Sequence, residues 1–235
     1  MTRRVAAAMP AFQVEAFVAD VVRRTLAVLP DLLVIDDGSS DQTGDVARSA
    51  GAEVITMPHN QGKGAALRVA FREIFRRGYE AVVTLDADGQ HLPEEIPKLL
   101  RRWEAGGDLV LGTREHLYSQ MGRLRRTSNR ASSRAISIVA GTRLKDVQTG
   151  FRLYTRALIA ATGFPEPRFE AETAVVVRAV RRGLSIMTVP IDLGYADGIK
   201  TSHYRPIVDS LRIAGAVARA RLERIPPSRE PWWLL

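Results

Sequence analysis

The 235-residue chain has no cysteine. That excludes a disulfide framework and thiolate chemistry, and it fits a reducing compartment. Histidine is scarce too. His59, His91, His116 and His203 are scattered, without HExxH-type spacing, so a zinc site is not expected. No uninterrupted apolar run approaches the roughly 18 residues that a membrane-spanning helix requires. Pro10, Gln13, Glu15 and Asp20 interrupt the stretch behind Met1-Thr2-Arg3-Arg4-Val5, so a signal peptide is not expected. A Walker loop is missing, as are RNP-type aromatics, zinc-finger spacing and a clear helix-turn-helix pattern, so nucleic acid is not the expected partner. Acidic residues are the minority charge. Lys and Arg number 34 against 26 Asp and Glu, a net charge of +8 carried mostly by arginine. Such a balance favours an anionic partner: a nucleotide diphosphate, a lipid phosphate or an anionic membrane surface.

The length suits one domain. Apolar runs alternate with helical periodicity. Strands are expected at Val5 to Met9, Leu32 to Ile35, Ala52 to Met57, Ala81 to Leu85, Leu109 to Leu111 and Ile186 to Ile191. Helices are expected over Val14 to Leu29, about Thr43 to Ala50, Gly64 to about Arg77, near 122–140, Phe169 to Arg182 and Ile207 to Leu222. Strand–helix alternation predicts an α/β fold with an open sheet, in which ligands sit beyond the carboxyl ends of the strands. Three of those ends carry chemistry: Asp36-Asp37, Asp86-Ala87-Asp88 and Thr113-Arg114. In the last helix Ile207, Leu211, Ala214 and Val217 recur at helical spacing, with Arg212, Arg219 and Arg221 supplying charge. The tail ends Trp232-Trp233-Leu234-Leu235, residues that suit either a membrane interface or packing on a protein surface.

A bare pair of aspartates usually only ends a strand. Here, however, Asp86 and Asp88 alternate at a strand end and can converge, which is costly unless a cation lies between them. Mg²⁺ takes one or two carboxylates plus phosphate oxygens, so a metal-bound diphosphate answers that cost. His59-Asn60-Gln61-Gly62-Lys63-Gly64 opens a helix whose free N–H groups, with the Lys63 ammonium, suit an anion. Arg123, Arg126, Arg130 and Arg134 follow helical spacing and make a cationic stripe.

Together these segments resemble a known family. Val34-Ile35-Asp36-Asp37-Gly38-Ser39-Ser40-Asp41, the His59–Gly64 stretch and Asp86-Ala87-Asp88-Gly89-Gln90-His91 are similar to inverting glycosyltransferases of family 2 with the GT-A fold. Leu111-Gly112-Thr113-Arg114 and Asp146-Val147-Gln148-Thr149-Gly150-Phe151-Arg152 are similar to the dolichyl- or polyprenyl-phosphate mannosyl- and glucosyltransferases. The resemblance implies a Rossmann-like, mostly parallel sheet flanked by helices over 1–206, with 207–235 as an amphipathic helix and tail of the same domain or of a membrane-surface contact. It further implies a donor site of Pro10, Phe12, Asp37, Lys63, Asp86, Ala87 and Arg114, and Mg²⁺ or Mn²⁺ on Asp86, Asp88 and Gln90. Asp88 and Asp146 would be catalytic. Arg123, Arg126, Arg130, His203 and Arg205 would meet the acceptor phosphate.

The implied reaction moves a hexose from a UDP- or GDP-sugar to a polyprenyl phosphate at the cytoplasmic face of a membrane, with a homodimer left open. A phosphate acceptor is anionic at neutral pH and needs cations, not a base. A family 2 enzyme using a saccharide hydroxyl would need a carboxylate base. Glu170 and Glu172 keep that alternative open.

Overall fold

The computed structural model describes residues 4–114, 149–194 and 206–223. Its centre is a seven-stranded sheet in the order β3-β2-β1-β4-β6-β5-β7. The strands are β1 (Val5–Ala11), β2 (Leu32–Asp36), β3 (Glu53–Thr56), β4 (Ala81–Thr84), β5 (Leu109–Thr113), β6 (Arg152–Thr155) and β7 (Ile186–Pro190). All pairings are parallel except those of β6, which runs antiparallel to both β4 and β5. The expected α/β fold with a mostly parallel sheet is therefore present.

Continuous apolar runs become central strands because both sheet faces are covered. Every residue of β2, β4 and β5 is buried. β1 extends two residues past its expected end, through Pro10 to Ala11. Pro10 is tolerated because β1 pairs with β4 only as far as Ala8, so the missing N–H leaves no gap in that ladder.

Helices α1 (Glu15–Val28), α2 (Thr43–Ser49) and α4 (Ile96–Glu104) cover one face of the sheet. The other is covered by α3 (Lys63–Arg76), α5 (Arg156–Thr162), α6 (Glu170–Arg181) and α7 (Pro206–Leu222). In α3 the apolar positions Leu67, Ala70, Phe71, Ile74 and Phe75 recur at helical spacing and are buried. Phe71 stacks on Phe75 and meets Tyr154 and Phe164 with ring centroids 5.1 Å away. Burial of each such ring contributes about 1.5–3 kcal/mol. The sequence reading passes over α5 and goes no further with α4 than a polar start at Pro93. Both helices are short.

In α7 the buried residues are Asp209, Ala216, Val217 and Ala220, with Ile213 partly buried. Of the positions that recur at helical spacing, Val217 is buried while Leu211 and Ala214 are exposed. Small residues win because α7 lies close against α6. Arg178 bonds Glu223 at 2.5 Å, and Arg181 caps the carbonyls of Ala220 and Glu223 at 2.6 and 3.0 Å. Among the described residues, no helix is long and apolar enough to cross a membrane.

Candidate active site at the carboxyl edge of the sheet

β1, β2, β4 and β5 all end at one edge, so the loaded strand ends lie together as the sequence predicts. β6 runs the other way. It begins where β4 ends, with Thr84 opposite Arg152, and so brings Thr149 and Gly150 against Asp86. The Thr84 hydroxyl donates to the Gly150 carbonyl at 2.9 Å and locks that approach.

The loops after β1 and β2 are sewn together. Gln13, whose φ is 52°, donates from its backbone N–H to Ser39 Oγ and from its side-chain amide to Ser40 Oγ, both at 3.0 Å. The Val14 N–H donates to Thr43 Oγ1 at 2.8 Å. Pro10 and the half-buried Phe12 stand at this end of β1. Asp37 is buried and accepts the backbone N–H groups of Gln61 and Gly62, each at 2.8 Å. Its carboxylate thus holds the loop that starts α3. Burial raises its pKa, opposed by those two hydrogen bonds.

Gly62, with φ 99°, is the residue before α3, and a Cβ there would lie 2.6 Å from the Pro167 carbonyl oxygen. The first residue of the helix is Lys63. Its ammonium does not point freely into the cleft: it lies 2.6 Å from Asp86 Oδ1 and 3.1 Å from Glu172 Oε2. Gly150 lets this pair close, since a Cβ on it would stand 2.5 Å from Lys63 Nζ and 2.6 Å from Asp86 Oδ2 and would push them aside. Glu172 leads on to Arg152, whose Nε is 3.9 Å from Glu172 Oε1. Arg152 is fully buried and also donates to the backbone carbonyls of Thr149 and Glu172. Asp86, Lys63, Glu172 and Arg152 form a row of alternating charge running from the rim into the interior.

Electrostatics follow from that row. Burial acts to raise the pKa of Asp86, but Lys63, with His91 and Arg114 assisting, outweighs it and holds the carboxyl at about 2. Burial acts to lower that of Lys63, yet its two carboxylate neighbours carry it well above the usual lysine range. His91 is buried, stacked on Phe151 at 5.4 Å, and accepts the Asp86 N–H on Nδ1 at 3.0 Å. Burial depresses its pKa despite the nearby carboxylates, so the ring is neutral and supports the turn as an acceptor.

Asp88 stands beside this row, half-buried. The Gln90 N–H and side-chain amide donate to its two oxygens, each at 3.0 Å. Among the described residues no three His, Cys, Asp or Glu side chains converge as a cage. Hard carboxylate oxygens nevertheless suit Mg²⁺ or Mn²⁺, which need only one or two from the protein when a diphosphate supplies the rest. Asp86 already carries the Lys63 ammonium, and Gln90 serves to orient Asp88. Asp88 is therefore the side chain best fitted to hold such an ion.

Ala87 is buried in this turn, and Arg114 is buried where its charge acts on Asp86. Asp146, Arg123, Arg126, Arg130, Arg134, His203 and Arg205 lie outside the described residues. From the sequence alone His91, Gly150 and Arg152 carry no role, and Glu172 is either a candidate base or an ordinary acid at a helix start. An arginine in an otherwise apolar strand, Arg152 beside Leu153 and Tyr154, is the signal that could have revealed the buried row.

A model of glycosyl transferase family 2 matches residues 7–163. Glycosyltransferase AglJ of Haloferax volcanii is 33% identical over 162 residues, 68% of this chain and 52% of that protein, so the match spans about half of that relative's length. Polyprenol monophosphomannose synthase of Mycolicibacterium smegmatis is 30% identical over 207 residues, covering 81% of this chain and 77% of that protein. Among solved structures, glucosyl-3-phosphoglycerate synthase of Mycobacterium tuberculosis, in complex with Mn²⁺, UDP-glucose and phosphoglyceric acid, superposes with a TM-score of 0.73 at 22% identity. That likeness covers 97% of this chain and 82% of the other, and it is a likeness of fold.

Proposed function

The chain belongs to glycosyltransferase family 2, and we propose that it moves a hexose from a nucleotide-diphosphate sugar to a polyprenyl phosphate. One observation carries this reading: Lys63 is locked between Asp86 and Glu172 beside an oriented Asp88 at the carboxyl edge of the sheet. Such an edge receives a diphosphate and stabilises its departure.

Pro10, Phe12 and Ala87 line the donor site, while Asp37 shapes it through the Gln61–Gly62 loop. Asp88 would hold Mg²⁺ or Mn²⁺, which when bound would supply Lewis-acid neutralisation of the leaving diphosphate. Arg114 adds fixed positive charge that needs no reorganisation during the reaction, while Lys63, held by Asp86 and Glu172, fixes the Asp86 side of the rim. The anomeric carbon gains positive character as the leaving group departs, and Asp146 is the carboxylate assigned to that charge. The acceptor attacks from the opposite side, giving inversion.

The position of Glu172 supports a phosphate acceptor. A hydroxyl needs a base with a raised pKa. Glu172 is 8% exposed in its side chain and ion-paired with Lys63, a poor position from which to take a proton. A lipid phosphate needs no such base, only cations, and Arg123, Arg126, Arg130, His203 and Arg205 are the assigned ones. The polyprenol monophosphomannose synthase relative supports the same acceptor class.

The test is transfer by purified protein from a panel of UDP- and GDP-hexoses to polyprenyl phosphate, with Mg²⁺ or Mn²⁺. A hexosyl phospholipid is expected. Transfer to saccharide or protein hydroxyls, with none to lipid phosphate, overturns the acceptor.

A further inference from the structure

The segment 164–168, between α5 and α6, rests on the start of α3. The Ala65 N–H donates to the Pro167 carbonyl at 2.9 Å, and Arg68 donates to the Pro165 carbonyl at 2.7 Å. A Cβ on Gly62 would strike Pro167 and Arg168, and one on Gly64 would strike Glu166 and Ala171. Arg168 is near enough for its charge to act on the Asp37 carboxylate, which holds the Gln61 and Gly62 N–H groups. Where this segment lies therefore bears on where Gly62 and Lys63 stand.

A buried charge holds the segment in turn. Pro165 and Pro167 have no N–H, so neither anchors it through a backbone donor. Glu166 is 7% exposed, and the Arg178 guanidinium grips both of its oxygens, Nη1 at 2.9 Å and Nη2 more closely. The same guanidinium donates through Nε to Glu223 at 2.5 Å. Arg178 lies on α6, and Glu223 directly follows α7. One planar cation thus spans two carboxylates from two other parts of the chain. Its fork fixes direction as well as distance, which a lysine ammonium does not. Apolar side chains could fill this space at least as stably, but none would fix a direction.

We propose that Arg178 is a positioning residue that holds Glu166, and through the 164–168 segment the start of α3, while Glu223 makes the end of α7 part of the same support. The consequence for the donor site rests on the donor reading above. A loosened α3 start displaces Lys63 and the loop held by Asp37, and weakens a nucleoside diphosphate bound there.

The test compares the full-chain wild type with Arg178→Lys, which keeps the charge and loses the fork, and with Glu223→Ala, which leaves Arg178 on Glu166. Arg156→Met is the control, because Arg156 donates to the Phe75 and Tyr79 carbonyls at the far end of α3. Amide hydrogen exchange is followed at Gln61, Gly62 and Ala65. Binding of UDP and of GDP, each with Mg²⁺, is measured by calorimetry. In Arg178→Lys and in Glu223→Ala those amides exchange about threefold faster or more, and the bound nucleotide is held about threefold more weakly or more. Arg156→Met lowers the melting temperature and leaves both readouts at their wild-type values. Wild-type exchange at the three amides in Arg178→Lys overturns the proposal, and in Glu223→Ala it overturns the part given to α7. An equal rise in Arg156→Met also overturns it, because general loosening would then suffice. If the wild type binds neither nucleotide while the exchange pattern holds, the donor reading fails and the positioning role stands.

Discussion

The two faces of the sheet are built on different principles. Against α1, α2 and α4 the core is mostly aliphatic, with Val18, Val22, Val34, Val83 and Leu99 buried beside Phe151 and Trp103. Ion pairs on that side stay near solvent, as Arg24 with Glu94 does at 2.7 Å, with side chains 33% and 53% exposed. Against α3, α5 and α6 the core is aromatic around Phe71, Phe75, Tyr154 and Phe164. Charges there are inside. Lys63, Glu172 and Arg152 are 13%, 8% and 1% exposed in their side chains, and Glu166 meets Arg178 below them. Buried ion pairs seldom stabilise more than well-packed apolar residues would. The first face is organised for packing. The second accepts buried charge and ends in the rim proposed to take a diphosphate.

The sharpest break in this comparison is at the rim. Asp88→Asn is expected to lower turnover about a thousandfold or more while the melting temperature moves little, because the carboxylate is half-buried and acts on charge in the transition state. Transfer assays and calorimetry on the same preparation check both halves. Lys63→Met should act on stability, costing about 3–5 kcal/mol because Asp86 and Glu172 lose their shared cation. Urea denaturation measures it, and adding Glu172→Gln should recover part of the loss. Gly150→Ala, which forces a methyl into the Lys63–Asp86 pair, should cost about 1–3 kcal/mol and reduce turnover as well. On the aliphatic face Arg24→Ala should cost under about 1 kcal/mol, as exposed pairs do. A loss at Arg24 as large as that at Lys63 would erase the contrast.

Acid should expose the same asymmetry. The Asp86 carboxyl is held at about 2, below its unfolded value near 4. Its contribution is therefore complete above about pH 4 and is lost as pH falls toward 2, because only the unfolded chain takes up the proton in that window. His91, also depressed, contributes stability that fades as pH drops below about 6.5, the unfolded histidine value. Denaturant midpoints measured against pH should show both declines. Lys63→Met should flatten the lower one.

Much of the rim is legible in the amino-acid sequence. Apolar runs ending abruptly in Asp36-Asp37, Asp86-Ala87-Asp88 and Arg114 locate the strand ends, and strand–helix alternation places them on one edge. The antiparallel course of β6 is not legible, because a four-residue strand carries no sign of its direction. Without that direction nothing links Gly150 to Asp86, 64 positions earlier in the chain. Glu172 looks like an ordinary acid at a helix start, and only the meeting of the α3 and α6 starts pairs it with Lys63. The inward face of α7 is not legible either, because close contact with α6 selects the small Ala216 and Ala220 rather than the larger Leu211.

Local pattern by itself determined the α/β class, the family and the acidic turn at Asp86 to Asp88. Periodicity, strand-ending carboxylates and loop glycines act within a few residues of one another. Tertiary structure alone decided that Lys63 serves Asp86 and Glu172 together, that Asp37 holds a loop, and which side of α7 faces outward. Each of these depends on groups far apart in the chain, brought together only when strand order and helix packing close the fold.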